Sequence, residues 1–275
     1  MSDAPPVEVT ILNAGTVPAP GFAVYPGGGL RRLRLPALFA LIVHPTEGVG
    51  LFDTGYATRF LPATRRWPFW LYRIATPVRI TAAEDAVAQL AARGIAAGDV
   101  RWIVLSHLDA DHLAGLRDFP AARVHCRAEA WQAVRGLTGR AAMRARLVPD
   151  LLPDDLEARL VLHGPPTGPS FEPLGPTEDL FDDGTVRLVS LPGHAPGHLG
   201  ALVTRPDGVT LLLAGDACWT VRALDRGSRG RIHRRLACDR AAHDATYATL
   251  RRLRAQRPEV IIVPAHCPDA AARLR

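Results

Sequence analysis

An α/β sandwich is the fold predicted for this 275-residue chain. Short apolar runs cut by turns alternate with helical patterns, and the scheme appears twice, once in each half. The length permits one large core or two small ones. A single domain over 1–275 is expected, because the stretch between the halves reads as an insert rather than a linker.

In chain order, 7–12, 38–43 and 49–52 are apolar runs of the kind that form strands of a buried sheet. A helix is expected next. Thr81 with Glu84 three residues on is a capping-box pattern, and Ala86, Val87, Leu90 and Ala91 recur at helical spacing until Gly94 stops the run. Residues 102–105 form another short strand that ends abruptly in SHLDADH. In the second half, 186–191, 209–213 and 260–263 read as strands, and a helix over 239–254 precedes the last of them. Between the halves, 147–177 is rich in proline and acidic residues with little periodicity, which predicts a lid or surface insert. No internal repeat at solenoid spacing occurs.

Composition narrows the function. The net charge of +6 rests wholly on arginine, since the chain contains no lysine, and a lysine nucleophile or Schiff base is thereby excluded. The arginines are spread out apart from one dense run, 226–235 (RGSRGRIHRR). That run fits a solvated loop, or attraction of an anionic substrate, better than a nucleic-acid face, so no nucleic-acid partner is expected. Cys126, Cys218, Cys238 and Cys267 form no C-x-x-C pair, which argues for reduced thiols and against a zinc ribbon, a redox dithiol or a disulfide framework. No run of about eighteen apolar residues occurs. The start, MSDAPPVEV, has neither a basic nor an apolar leader region. A cytoplasmic protein without membrane contact is expected.

The chemistry concentrates in His107-Leu108-Asp109-Ala110-Asp111-His112, where potential metal ligands crowd directly behind a buried strand. Buried ionised Asp and neutral His cost free energy unless paired or bound to a cation, so a tight loop gathering several of them is stabilised best by a metal. His194 in LPGHAPGHLG, Asp216 in LLLAGDA and His266 in IIVPAH have the same form, an apolar run ending in a ligand-type residue. Each alone reads most simply as a satisfied polar group at a strand end. Together they point to one site, because α/β folds gather ligands at strand carboxyl ends.

HLDADH resembles the H-x-H-x-D-H signature of the metallo-β-lactamase superfamily, and the glycine-histidine at 193–194, Asp216 and His266 follow in that family's order. FDTG at 52–55 is similar to the short motif the family carries on an early strand. The likeness covers nearly the whole chain and is strongest to the N-acyl homoserine lactone lactonases. It implies a metallo-β-lactamase-type αββα sandwich and a dinuclear-metal hydrolase of a small ester or lactone, with quorum-quenching lactonase activity among the expectations. Carried over by position, it implies that His107, Asp109 and His194 hold one metal, that Asp111, His112 and His266 hold the other, and that Asp216 bridges them. Two such cations lower the pKa of a shared water and polarise the substrate carbonyl. Asp111 is then expected to orient that water and pass a proton to the leaving alkoxide. Asp53 would support the ligands through hydrogen bonds. His44 and His198 read as structural.

Two positions depart from the family. Asp109 stands where most relatives carry histidine, and the extra carboxylate hardens the ligand set, so Fe2+ or Mn2+ enter beside the Zn2+ that the family implies. The added anion also predicts a weaker Lewis acid and a higher pH optimum. Flavodiiron proteins place a carboxylate there too, but this chain has no room for their flavin domain. Trp219 stands where the lactonases carry a tyrosine whose hydroxyl contacts the substrate carbonyl. Indole offers only an N–H of different reach, so Trp219, taken as a catalytic residue, predicts slow turnover of unactivated lactones. The same fold and metals acting on a thioester, phosphoester or phosphodiester stay open, as does a non-enzymatic ligand sensor. Phe60, Trp67, Phe69, Trp70 and Tyr72 resemble the lactonase segment that forms an apolar groove or a dimer contact, which admits a homodimer beside a small-molecule substrate; plain packing explains them equally well. Cys218 and Cys267, adjacent to metal positions, read as buried inert thiols.

Overall fold

The computed structural model describes residues 7–227 and 230–273. Its first sheet contains β1 (Glu8–Pro20), β2 (Arg32–His44), β3 (Gly48–Phe52), β4 (Val100–Val104), β5 (Arg123–Arg127) and β6 (Leu160–His163), paired in that order. The second contains β7 (Thr177–Asp179), β8 (Val186–Ser190), β9 (Leu199–Thr204), β10 (Thr210–Gly215) and β11 (Val260–Pro264), in the order β11-β10-β9-β8-β7.

Both faces of each sheet are covered, which is why the strands read as near-continuous apolar runs rather than alternating ones. Along β10, Leu211 and Leu213 enter the core between the sheets with Ile42, Phe52 and Val104, whereas Leu212 and Ala214 face outward. Outside β10 lies the helix Arg240–Gln256, capped by Asp239, whose carboxylate accepts from the Ala242 amide at 3.0 Å. It buries Tyr247, Leu250 and Leu253 against that face. The outer face of the first sheet, with Leu41, Leu51 and Ile103, packs on segments carrying Leu90, Leu113 and Leu156. Helix, sheet, sheet, helix is the αββα sandwich that the motif order implied.

Of the expected strands, those at β3, β4, β8, β10 and β11 differ from the structure by a residue or two, and β1 and β2 run well past the expected runs. The remaining strands carry no uninterrupted apolar run of four residues or more. β5 is RVHCR, β6 and β7 are short, and β9 interrupts its apolar stretch with Gly200. The helix expected from Thr81 is broken into a 3-10 turn, Ala82–Glu84, and a helix, Ala86–Ala91. Asp85 makes the break, because its carboxylate accepts from both the amide and the hydroxyl of Thr58 at 2.7 Å and holds its own backbone out of the helical region.

The 147–177 stretch carries the 3-10 turn Pro149–Leu151, the helix Leu156–Arg159 and the edge strand β6, then crosses to the second sheet. Leu147, Val148, Leu151 and Leu156 are buried in the core beside the first sheet. In the arginine run, Ser228 and Arg229 lie outside the described residues, as do 1–6 at the N-terminus. The end of the run is not a loop: Arg231–Leu236 is helical, and His233 within it is buried. Among the described residues no helix is long and apolar enough to cross a membrane.

Candidate metal centre

Each candidate ligand follows the C-terminal end of a strand: 107–112 after β4, His194 after β8, Asp216 after β10 and His266 after β11. Asp53, after β3, adopts a left-handed backbone with φ 59°. Its Oδ1 accepts from the Ser106 amide at 2.7 Å, and its Oδ2 accepts from Ser106 Oγ at 2.8 Å and lies 2.7 Å from His112 Nδ1. Two glycines let the ligand loops approach. A Cβ on Gly193 would lie 2.1 Å from the His243 amide nitrogen, and one on Gly215 would lie 2.8 Å from Ser106 and 2.9 Å from His198. Both also have positive φ, so glycine is required there on two counts.

The structure brings all the expected ligand residues together. Asp109 Oδ2 lies 3.4 Å from Nε2 of both His107 and His194. Asp111 Oδ2 lies 3.3 Å from His266 Nε2 and 3.8 Å from His112 Nε2. Asp216 stands between the groups, with Oδ2 3.4 Å from His194 and Oδ1 3.1 Å from His266 and 3.6 Å from His112. His266 is oriented from behind by its Nδ1, 2.7 Å from the Pro36 carbonyl. Within each of the sets His107, Asp109, His194; His107, His112, Asp216; and Asp111, His112, His266, one ligand atom per residue lies within 4.8 Å of the others.

The electrostatics are those of carboxylates and imidazoles pressed together away from water. Burial alone would raise the Asp216 carboxyl, but His266 and His194 hold it well below the ordinary carboxylate range. Burial is likewise outweighed at Asp109 by Arg146 and His107. Asp53 and Asp111 overcome burial to push the His112 imidazole well above its ordinary value, and Asp216 and Asp111 push His266 up to about 10. The donor set fits a metal on an independent observation. His107 Nε2, His112 Nε2 and Asp216 Oδ1 are buried with no hydrogen-bond partner, although each faces another ligand atom. Orphaned buried polar atoms cost about 1–3 kcal/mol each, and a shared cation removes that cost.

A cavity of about 490 Å³ opens over these residues. Asp109, Asp111, His194, Asp216 and His266 line it on one side, and Val17, Leu35, Leu71, Met143, Ile232 and Leu236 supply apolar wall. Trp219 also lines it, but its Nε1–H donates to Asp216 Oδ2 at 2.9 Å, and its ring stacks on His233 at 4.4 Å between centroids.

Sequence reasoning missed Arg146 and Tyr56 as cavity residues and saw Tyr72 only as part of an aromatic cluster. Arg146 donates through Nε to Asp109 Oδ2, and its other nitrogens reach the carbonyls of Leu236 at 2.9 Å and His194 at 3.3 Å. Burial, then the nearby Asp111, hold the hydroxyls of Tyr56 and Tyr72 well above the ordinary tyrosine value, so both remain donors at any physiological pH. No motif marks these three residues; they arrive from separate segments.

The other singled-out residues take background positions. His198 Nε2 accepts from the Asp216 amide at 3.0 Å, and His44 Nε2 sits 2.9 Å from Asp183. Cys218 and Cys267 are buried, and burial holds the Cys218 thiol well above its ordinary value. Of the aromatic cluster, Phe60 is core, Tyr72 and neighbouring Leu71 line the cavity, and Trp67 and Trp70 are exposed.

The chain matches the metallo-β-lactamase superfamily over residues 34–266. It is 32% identical over 272 residues to a protein of Mycobacterium tuberculosis named a probable metallo-hydrolase, covering 96% of this chain and 82% of that one. It is 29% identical over 247 residues to the N-acyl homoserine lactonase AttM of Rhizobium radiobacter, covering 88% and 85%. Among solved structures, an N-acyl homoserine lactone hydrolase with N-hexanoyl-L-homoserine bound at its catalytic metal centre has a TM-score of 0.73 at 18% identity, covering 100% of this chain and 98% of that one. At that identity the likeness is one of fold.

Proposed function

The chain belongs to the metallo-β-lactamase superfamily, and from that premise we propose that it is a dinuclear-metal hydrolase that opens the ester bond of a lactone bearing an apolar chain. One observation carries the proposal: a buried set of imidazoles and carboxylates sharing Asp216 lies at one side of an apolar cavity of about 490 Å³, large enough for a lactone ring and an acyl chain. His107, Asp109 and His194 would hold one divalent ion, Asp111, His112 and His266 the other, with Asp216 common to both. When bound, such ions acidify water and polarise a carbonyl.

The chain's own residues supply the rest. Asp53 fixes the His112 ring through Nδ1, which leaves Nε2 facing the site. Asp111 lines the cavity, where its carboxylate can take a proton from the attacking water and return it to the ring oxygen as the ester C–O bond breaks, giving a hydroxy acid. The tyrosine hydroxyl of Tyr72 donates to the carbonyl oxygen, a part that Trp219 does not play because its N–H is held by Asp216. The relative named an N-acyl homoserine lactonase supports this substrate class. A phosphoester fits less well, because Arg146, the arginine among the described lining residues, already has Asp109 and two carbonyls as partners. An intact ligand set also favours an enzyme over a sensor.

The test is a panel of long-chain homoserine lactone, aryl ester, thioester and bis-aryl phosphate, run on protein loaded separately with zinc and with manganese. Highest kcat/KM on the lactone is expected. Turnover confined to the phosphate, or none on any substrate with both metal positions filled, would overturn the proposal.

A further inference from the structure

The mouth of the cavity is built in part from short helices that turn one side inward and leave the other in water. On the helix Phe69–Ala75, Leu71, Tyr72 and Ala75 line the cavity, whereas Trp70 and Ile74, four residues apart and so on one side, are 39% and 66% exposed. Trp67 precedes that helix and is 56% exposed, with its ring 6.3 Å from that of Trp70. The helix Gly21–Val24 lines the cavity with Ala23 and exposes Phe22. The helix Arg231–Leu236 lines it with Leu236 and with Ile232, which is also exposed. Large apolar side chains held in water around one opening mark a surface that meets a partner.

The charge beside them has one sign. Residues 15–36, 54–80 and 139–149 each supply cavity wall, and they contain arginines but neither aspartate nor glutamate. Arg31, Arg65, Arg66 and Arg144 are exposed, and among the described residues their guanidinium groups have no hydrogen-bond or ion-pair partner. Arg140 lies over the Trp67 ring, 5.4 Å from its centroid. The carboxylates that line the cavity are those of the candidate centre, Asp109, Asp111 and Asp216.

We propose that this rim docks the protein on the surface of an anionic phospholipid bilayer, with Trp67, Trp70 and Ile74 among the headgroups and the arginines against the lipid phosphates. Arginines draw the protein to anionic headgroups, and indoles settle at the boundary between headgroup and acyl chain. A nucleic-acid strand would use the charge and the indoles but offers nothing to cover Ile74 and Ile232. The sequence expectation of no membrane contact, which concerned a leader and a spanning run, does not extend to a contact of this kind, because surface binding needs neither. Docked this way, the cavity opens onto the bilayer, where a lactone with an apolar chain concentrates. That delivery rests on the proposed substrate; the docking surface does not.

The experiment sediments the metal-loaded protein with phosphatidylcholine vesicles, with and without phosphatidylglycerol, at low and high salt. Binding to the anionic vesicles alone, weakened by salt, is expected. Trp102, Trp131 and Trp219 are buried, so quenching of tryptophan emission by brominated lipid reports Trp67 and Trp70. Arg65→Gln combined with Arg66→Gln should weaken vesicle binding about 30-fold, from about 1 kcal/mol per basic residue at the surface. Trp70→Ser combined with Ile74→Ser should remove most of the binding and the quenching. Both double variants should keep the wild-type melting temperature, because these side chains are exposed. No sedimentation with either vesicle, or equal sedimentation of wild type and both double variants, would overturn the surface and leave the hydrolase proposal standing. A dimer broken by Trp70→Ser with Ile74→Ser, in place of vesicle binding, would give the face to a second copy and overturn it too. Binding of a single-stranded oligonucleotide without vesicle binding would do the same. Vesicle binding by a protein that hydrolyses no lactone would overturn the hydrolase proposal and leave this surface standing.

Discussion

Arg146 donates through Nε to Oδ2 of Asp109, the same oxygen that lies 3.4 Å from Nε2 of both His107 and His194. The carboxylate that replaces the family's histidine therefore comes with its own cation. Asp109 overcomes burial to hold the Arg146 guanidinium above its ordinary pKa, so the pair is ionised throughout the working range. The charge added at position 109 is largely cancelled a few ångströms away. The higher pH optimum expected from Asp109 alone should accordingly be small.

Asp109→His should therefore be costly on its own, because it leaves Arg146 partly buried without its carboxylate. Breaking such a pair typically destabilises by about 3–5 kcal/mol. Adding Arg146→Met should recover much of that loss. Urea denaturation of the metal-free single and double variants measures the coupling, and strictly additive effects would show that the two residues do not compensate each other.

Asp53 touches His112 and Ser106 and no substrate surface, so its removal should act on metal retention. Asp53→Ala is expected to lower metal affinity about 10- to 100-fold and to recover near-normal turnover at saturating metal. Competition against a chromophoric chelator reads the first effect. Unchanged affinity would mean that Asp53 serves the fold alone.

Tyr72 and Trp219 can be separated by what each does at saturating metal. Tyr72→Phe should leave metal content intact and reduce lactone kcat about 10²-fold, the scale of one lost donor to a developing oxyanion. Trp219→Phe keeps a ring against His233 but loses the hydrogen bond to Asp216, so it should weaken metal binding and spare kcat. The reverse pattern would make the indole the substrate donor and remove that role from Tyr72.

Away from the site, His125 Nδ1 lies 3.0 Å from His163 Nε2, and the His163 Nδ1 lies 2.7 Å from Glu178, joining β5, β6 and β7. Burial, then His163 and Arg123, lower the His125 pKa to about 4. The unfolded chain thus takes up this proton first. The stability contributed by neutral His125 is complete above about pH 6.5 and is lost as pH falls from there toward 4, an effect of about 1–3 kcal/mol after allowing for partial exposure. His125→Gln should lose that much less stability than wild type between pH 7.5 and 4.5 in parallel denaturation curves. Equal losses would exclude His125 as a source of the acid sensitivity.

Much of the centre was legible because its residues sit where periodic patterns stop. His107, His194, Asp216 and His266 each close an apolar run, and a strand end next to a ligand-type side chain is a local signal. β5 could not be seen that way: RVHCR owes its place to pairing with β4 and β6, a long-range effect. The break at Asp85 was equally invisible, since its cause is Thr58, far back in the chain.

The chain's own order of residues determined an α/β sandwich and the ligand types, because period, turn chemistry and side-chain identity are local properties, while the αββα arrangement and the departures at positions 109 and 219 followed from the family resemblance that those residues carry. Only the tertiary structure decided what those side chains meet. It put Arg146 on Asp109, gave the Trp219 N–H to Asp216, raised Tyr56 and Tyr72 beside the carboxylates, and set His233 and His243 behind His194. Apart from Trp219 and Asp216, which are three residues apart, those partners lie tens of residues apart or more, and burial makes each meeting matter, because a desolvated donor or charge must find its partner within the fold.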